Sequence, residues 1–369
     1  MKNKIFKIAV LFTCLLLTLN LCGCGKSTAD IVYEAQYNRD LEGTVLNVFN
    51  WGEYIADGSE GSLDINEAFT ELTGIKVNYT TYESNEAMYA KLKSGGVSYD
   101  IVIPSDYMIE RLKNEDMLEK IDTASLSNYK YIDEKYKGLY FDSENNFSVP
   151  YCVGMVGLIY NAAEVDPAPQ SWSVMWDEKY KNQILTFNNP RDAFAISQFV
   201  LGQDLNTTNL ADWDRAATKL KEQKKFLQSY VMDEVFQKME DGEAAIAPYY
   251  AGDFLLMQEN NPDLEFVYPK EGTNIFVDSI CIPKGAQNIE AAKMYINFLL
   301  EPEIALETAE YIRYATPHAA VLENPIYSLR DNIYLYPTDA NYPKVQYFHD
   351  IDSNIRSYYE KLWEEVKLS

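Results

Sequence analysis

Residues 148–161 read SVPYCVGMVGLIYN, and residues 274–283 read NIFVDSICIP. Each is an apolar run rich in β-branched and small side chains, the first of them following the turn-rich stretch Asp142-Ser143-Glu144-Asn145-Asn146, and each reads as a strand. If one carries the chain out of a first lobe near residue 152 and the other carries it back near residue 277, both lobes are discontinuous in sequence. A cleft then lies between them, with a hinge in the crossing strands, because a few strand residues can absorb the change in backbone angles as the lobes close. Size agrees: about 327 residues follow Glu42, more than a single core usually organises. The expected division is a first lobe of 43–152 with 278–320 and a second of 153–277 with 321–369.

Working outward, strands at Thr44–Asn50, Ile75–Thr81 and Tyr99–Pro104 alternate with helical spacing over Leu63–Leu72, Asn85–Lys93 and Tyr107–Asn114. Such alternation implies an α/β fold with a largely parallel sheet, whose ligands sit beyond the strands' carboxyl ends, where Trp51 and Ser105 fall. Beyond residue 161, helices over Ser171–Asp177, Arg191–Leu201, Leu210–Gln223, Met232–Asp241 and Gly252–Glu259 interleave with strands at Ile184–Phe187, Ala244–Pro248 and Leu264–Val267. Helices over Ala291–Leu300, Pro302–Tyr311 and Ser353–Lys367 complete the reading.

Upstream, Lys2, Lys4 and Lys7 precede an apolar run from Ile8 to Leu21, too short for a stable membrane span and ending in small residues, as an export signal requires. Leu21-Cys22-Gly23-Cys24 resembles a bacterial lipobox, which makes 1–23 a lipoprotein signal, Cys24 the acylated residue, and 24–42 a flexible tether. An uncleaved signal anchor is the alternative. The location expected is the outer face of a bacterial cytoplasmic membrane. Two cysteines, Cys152 and Cys281, remain in the folded region; both sit in apolar runs and are expected to be reduced.

The formal charge of −24 becomes −27 once residues 1–23 and their three lysines are removed. That balance repels nucleic acid and anionic headgroups and favours a cationic ligand. Acidity also serves solubility alone, so charge does not name the function. The 29 tyrosines, against 16 phenylalanines and 5 tryptophans, suit a polar cleft walled by aromatics and equally suit ordinary core edges.

The runs NVFNWGEYI at 47–55, TGIKVNYTTYESNEAMYAKLKSG at 73–95, YDIVIPSDY at 99–107, VDSICIP at 277–283 and INFLLEPEIA at 296–305 resemble the polyamine-binding lipoproteins of spermidine/putrescine ABC importers. The resemblance spans nearly all of 43–369. It implies a type II periplasmic-binding-protein fold that traps a polyamine between lobes and delivers it to a permease with its ATPase, as a monomer and without cofactor or metal. Matched one position at a time, it implies ligand contacts at Trp51, Glu53, Tyr54, Ser105, Tyr107, Asp192, Tyr249, Phe276, Asp278 and Tyr314. Asn189 stands where an acid is usual, Tyr249 and Phe276 stand where tryptophans are usual, and Tyr347-Phe348 falls where a glutamine meets the ligand. Losing an acid at Asn189 leans toward a diamine, unless Asp106 or Asp253 restores the charge.

The same residues make physical sense without the resemblance. A polyamine presents ammonium groups separated by methylene spacers, so its site needs carboxylates at intervals and flat apolar walls between them. A carboxylate about 4 Å from an ammonium gains ~4 kcal/mol at an effective dielectric near 20, before desolvation is subtracted. Aromatic faces add about 0.5–2 kcal/mol each by cation–π contact and cover the methylenes. Each residue also has a plainer reading: aromatic packing for Trp51, Tyr249 and Phe276, helix N-terminal acids for Glu53 and Asp192, a helix cap for Ser105. Asp278 is the sharpest, since it interrupts an apolar strand where an unpartnered charge is costly. Arg191 is expected to pair with a neighbouring acid and orient it.

An exported glycoside hydrolase would also want paired acids in a cleft. Against an enzyme, the chain has two histidines, His318 and His349, at no metal-ligand spacing, and neither a Gly-x-Ser-x-Gly elbow nor a phosphate loop. His318 reads as a loop residue. A sensor partner with the same pocket, and a binder of another cationic solute, are the remaining alternatives.

Overall fold

The computed structural model describes residues 31–369; the signal segment and Cys24 lie outside the described residues. The strands are β1 (Val45–Trp51), β2 (Lys76–Tyr82), β3 (Ile101–Val102), β4 (Val149–Asn161), β5 (Ile184–Phe187), β6 (Leu227–Val231), β7 (Ile246–Tyr250), β8 (Leu264–Val267), β9 (Thr273–Ile280) and β10 (Val345–Gln346). The α-helices are α1 (Ile65–Thr73), α2 (Asn85–Ser94), α3 (Asp106–Asn114), α4 (Pro190–Leu201), α5 (Leu210–Gln223), α6 (Glu234–Glu240), α7 (Ala251–Asn260), α8 (Ile289–Leu299), α9 (Pro302–Ile312), α10 (Ala319–Glu323) and α11 (Ser353–Leu368).

In the first lobe, β2, β1 and β3 form a parallel sheet in that order, with Val48 opposite Ile101. Local chemistry sets the helices that return between them. Asp64 caps α1 by accepting from the Glu67 amide, and Gly74 ends it at φ 75°, the left-handed conformation that glycine reaches without strain. Ser84 caps α2 through the Ala87 amide. The sheet continues through the end of β9: the Val102 amide donates to the Cys281 carbonyl at 3.0 Å, and the Cys281 amide returns the bond at 2.8 Å.

The second lobe is built on a seven-stranded mixed sheet in the order β10-β9-β4-β7-β5-β6, with β8 also on β4. Thirteen-residue β4 pairs with β9 along its first half and with β7 and β8 along its second. One strand therefore serves both bodies. Two glycines permit this packing. A Cβ on Gly154 would lie 2.2 Å from the Phe276 ring, and one on Gly157 would lie 2.2 Å from the Phe266 ring, distances no side chain tolerates. Helices α4, α5 and α11 cover one face, with Trp213 stacked on Tyr359 at 4.7 Å and Phe194 packed edge-on to both rings.

The α/β class and two-lobed arrangement are as expected, and Cys152 and Cys281 are both free and buried. Three local readings need correction. Ser171–Asp177 contains a 3-10 helix, Trp172–Trp176, rather than an α-helix, because Trp172 is pinned by its Nε1 donating to the Gly272 carbonyl at 2.8 Å. Strand β6 gave no strand signal: it is a half-buried sheet edge without a clean alternation. Finally, the expected flexible tether is not free along its length. From residue 31 it lies against the first lobe, with Ile31, Tyr33, Tyr37 and Leu41 on that lobe's apolar core.

Candidate binding cleft

The carboxyl ends of β1, β2, β5, β6 and β7, from both lobes, meet at one cavity of about 870 Å³, counted with its open mouth. Of the side chains named from sequence, Trp51, Glu53, Tyr54, Ser105, Tyr107, Asn189, Asp192, Tyr249, Phe276, Asp278, Tyr314 and Phe348 line it. Strand β1 delivers Trp51, β3 leads to Ser105 at the N-cap of α3, β5 leads to Asn189 at the N-cap of α4, and β9 carries Phe276 and Asp278.

Asp106 does not line the cavity. It is fully buried, and its carboxylate accepts from the Tyr107 amide at 2.7 Å and the Val277 amide at 3.3 Å, which turns it toward the protein interior. Tyr249 is only 2 % exposed and stacks on Phe187 at 5.4 Å. Its neighbour Tyr250 is the one whose hydroxyl reaches a cleft acid. Strand parity separates the two, since successive side chains point to opposite faces.

Tyrosines hold the acids. Tyr54 Oη donates to Asp278 Oδ2 at 2.8 Å, Tyr250 Oη to Asp192 Oδ2 at 2.8 Å, and Tyr107 Oη to Glu86 Oε1 at 2.9 Å. Tyr314 lines the cavity beside Asp253, and its hydroxyl opposes the rise that burial imposes on that carboxyl's pKa. In each pair the ring supplies wall and the hydroxyl fixes a carboxylate, so the many tyrosines have a structural use here. Asn189, neutral where an acid is usual, donates its Nδ2 to Asp192 Oδ2 at 2.8 Å and accepts the Asp192 amide at 2.9 Å. Asp278 keeps one oxygen, Oδ1, buried with no partner in hydrogen-bonding geometry.

Burial dominates the electrostatics. It lifts Asp253 to about 8, against the Tyr314 hydrogen bond and with the charges of Asp233 and Glu53 adding to the rise. It lifts Asp278 to about 7, against the hydroxyls of Ser105 and Tyr54. Glu86 and Asp192 are also raised, chiefly by burial, while the Tyr107 and Tyr250 hydroxyls oppose the rise. All four ionise more readily when a cation enters, because a nearby positive charge favours the carboxylate.

Aromatic walls complete the slot. The Trp51 ring is fixed by its Nε1 donating to the Ile103 carbonyl at 2.9 Å and packs on Tyr82 at 4.6 Å. Opposite, Phe276 meets Tyr250 at 5.5 Å and Tyr314 at 6.3 Å. Glu83, Glu86, Asp233, Tyr82 and Tyr250 are lining residues that the sequence reading did not place there; Glu83 and Glu86 lie inside the run used for the resemblance, yet nothing in their spacing marked them. Of the two acids named as alternatives to Asn189, Asp253 lines the cavity and Asp106 does not.

Arg191 lines the back of the cavity without an acid partner in ion-pair distance among the described residues. Its guanidinium lies 4.4 Å from the Phe348 ring centre and donates to Asn206 Oδ1 at 3.0 Å. The expected pairing with a neighbouring carboxylate is replaced by an aromatic and amide cradle. His318 sits elsewhere: it is buried at the N-cap of α10, its Nδ1 accepts the Val321 amide at 3.3 Å, and burial lowers its pKa to about 4. Among the described residues no cluster of His, Cys, Asp and Glu could hold a metal ion, and no helix is long and apolar enough to cross a membrane.

Comparisons with known proteins bear on the family and the fold. Residues 64–343 match the family described as bacterial extracellular solute-binding protein. A spermidine/putrescine-binding periplasmic protein of Salmonella typhimurium is 34% identical over 324 residues, 87% of this chain and 91% of that relative. A solved structure from Listeria monocytogenes, named for a spermidine/putrescine ABC transporter, superposes with a TM-score of 0.83 at 36% identity, covering 88% of this chain and 99% of that one. The Tp0655 (TpPotD) lipoprotein of Treponema pallidum superposes with a TM-score of 0.76 at 26% identity, covering 88% and 100%.

Proposed function

We propose, from the premise that this chain belongs to the bacterial extracellular solute-binding proteins, that it captures a linear polyamine, putrescine or spermidine, between its lobes and delivers it to the permease of an ABC importer. The supporting observation is a set of four carboxylates around one aromatic-walled slot, Asp278 buried and Glu86, Asp192 and Asp253 partly buried, three of them accepting a tyrosine hydroxyl. An ammonium beside Asp278 Oδ1 satisfies that orphaned oxygen, and rings such as Trp51 and Phe276 cover the methylenes.

The lobes in this reading are 43–152 with 278–320 and 153–277 with 321–369, hinged in β4 and β9. The protein works as a monomer without catalysis, exported and held to the outer face of the membrane by lipid on Cys24. Anionic solutes are disfavoured, since among the described residues Arg191 is the one cation lining the cavity, against Glu53, Glu83, Glu86, Asp192, Asp233, Asp253 and Asp278.

Calorimetric titration with putrescine, spermidine, an amino acid and sulfate tests the reading. Saturable one-to-one binding of a polyamine alone supports it, and no heat with any polyamine overturns it. The ratio of the putrescine and spermidine affinities reports whether Asp253 compensates for Asn189: a clear spermidine preference removes the expected lean toward a diamine.

A further inference from the structure

Glu301 is a fully buried carboxylate at the N-cap position of α9, remote from the cleft lining. Burying a charge is costly unless its oxygens are satisfied. Here Asn128 Nδ2 donates at 2.8 Å, and the remaining bonds come from a segment some 265 positions earlier in the chain. The Glu34 amide donates at 2.6 Å, the Ala35 amide at 2.9 Å and Tyr37 Oη at 2.7 Å.

The same segment is held on either side. The Tyr33 and Tyr37 rings both lie 6.0 Å from the Phe298 ring, and Lys130 Nζ stands 3.9 Å from the Glu34 carboxylate. Further along, Arg39 Nη1 donates to the Glu71 carbonyl at 2.9 Å. Every one of these partners belongs to the first lobe.

We propose that residues 31–41 are a docked strap which ties the first lobe to the membrane anchor, so that the second lobe is the one displaced when the cleft opens and closes. The inference rests on lipidation of Cys24, part of the function proposed above. An extended chain spans at most ~3.6 Å per residue, so a free segment from Cys24 to Gly43 would let the body drift ~70 Å from the bilayer. With the strap seated, Cys24 to Ile31 limits the nearest part of the first lobe to ~25 Å. The second lobe has no such strap and reaches the anchor only by way of the first lobe, through β4, β9 and the chain near residue 320. A membrane-bound permease thus meets one lobe held close and another free to swing.

The test uses the mature lipoprotein in vesicles of phosphatidylethanolamine and phosphatidylglycerol. Hydrogen exchange at the Glu34 and Ala35 amides reports docking. Energy transfer from a dye on Lys76→Cys in the first lobe, or on Lys361→Cys in the second, to a lipid-borne acceptor reports height above the bilayer. The expected result is at least tenfold slowed exchange at both amides, and a narrow first-lobe distance that putrescine or spermidine leaves unchanged while the second-lobe distance shifts. Glu301→Ala, or Tyr33→Ala with Tyr37→Ala where the first variant folds poorly, should release the amides and broaden the first-lobe distance, with polyamine affinity in solution unaltered.

Unprotected amides in the unmodified protein overturn the strap. Distances indifferent to strap release, or a first lobe that moves with ligand as much as the second, overturn its orienting role. A mature chain with no acyl group on Cys24 overturns the membrane role while exchange still reports docking, and loss of polyamine binding in the unmodified protein would indict the functional reading instead.

Discussion

Tyr54 and Asp278 lie 224 positions apart in sequence, yet the Tyr54 hydroxyl donates to the Asp278 carboxylate at 2.8 Å while standing 2.9 Å from Cys152 Sγ. A loop after the first strand is thereby joined to the strand that returns from the second lobe. Both residues are buried, and the carboxylate's second oxygen has no hydrogen-bond partner.

Replacing Asp278 by Asn should weaken putrescine and spermidine by ~10- to 100-fold, since a hydrogen bond to a charged group is worth about 1.5–3 kcal/mol. The amide can still accept from Tyr54, so thermal stability should hold. Isothermal titration with unchanged affinity would remove Asp278 from the site.

The two adjacent tyrosines should behave differently. Tyr250→Phe deletes the hydroxyl that fixes Asp192 and should lower affinity by ~3- to 10-fold, the worth of one ordinary hydrogen bond. Tyr249→Phe, at a ring packed on Phe187, should leave affinity unchanged. The reverse ranking would restore Tyr249 as the contact.

Binding should strengthen with pH. Asp278 near 7 and Asp253 near 8 are partly or largely protonated in the empty cleft at pH 6, and must lose their protons to face an ammonium. Affinity should rise at least ~10-fold from pH 6 to pH 8, with proton release visible as a buffer-dependent heat. Stability of the ligand-free protein runs the other way. These carboxyls titrate higher folded than unfolded, so between the ordinary carboxyl range and about pH 8 the folded state binds more protons, and stability falls as pH rises through that window. A ligand-free melting temperature that climbs from pH 5 to pH 8 would contradict this assignment, as would a flat affinity profile.

Gly252→Ala sets two effects against each other. Alanine favours a helix by up to ~1 kcal/mol, but its Cβ would lie 2.4 Å from the Tyr314 ring. Overpacking costs about 1–3 kcal/mol and should win. Because the Tyr314 ring is part of the cavity wall, both the melting temperature and polyamine affinity should drop. A variant with wild-type melting and affinity would show that Tyr314 has room to retreat.

Much of the site was legible where chemistry and local pattern coincide. Asp278 stood out because a charge inside an apolar strand demands a partner, and Trp51 and Ser105 because a parallel strand ends there. Glu86 and Asp233 carried no such mark: an acid near a helix start is ordinary, and only packing shows which of them meets a cavity. Asp106 shows the converse, since two backbone amides turn a plausible ligand acid inward. Arg191 was assigned a carboxylate by adjacency, whereas the fold surrounds it with rings and an amide.

The α/β alternation, the two crossing strands and the residue types of the cleft are written in the order of the amino acids, because periodicity and apolar runs report burial, which is local along the chain. Only the tertiary structure decided which tyrosine holds which acid, that Tyr250 rather than Tyr249 reaches Asp192, and that residues 31–41 pack on Glu301. Those choices depend on distances between segments hundreds of residues apart and on the desolvation they share, and neither quantity is written in the order of the amino acids.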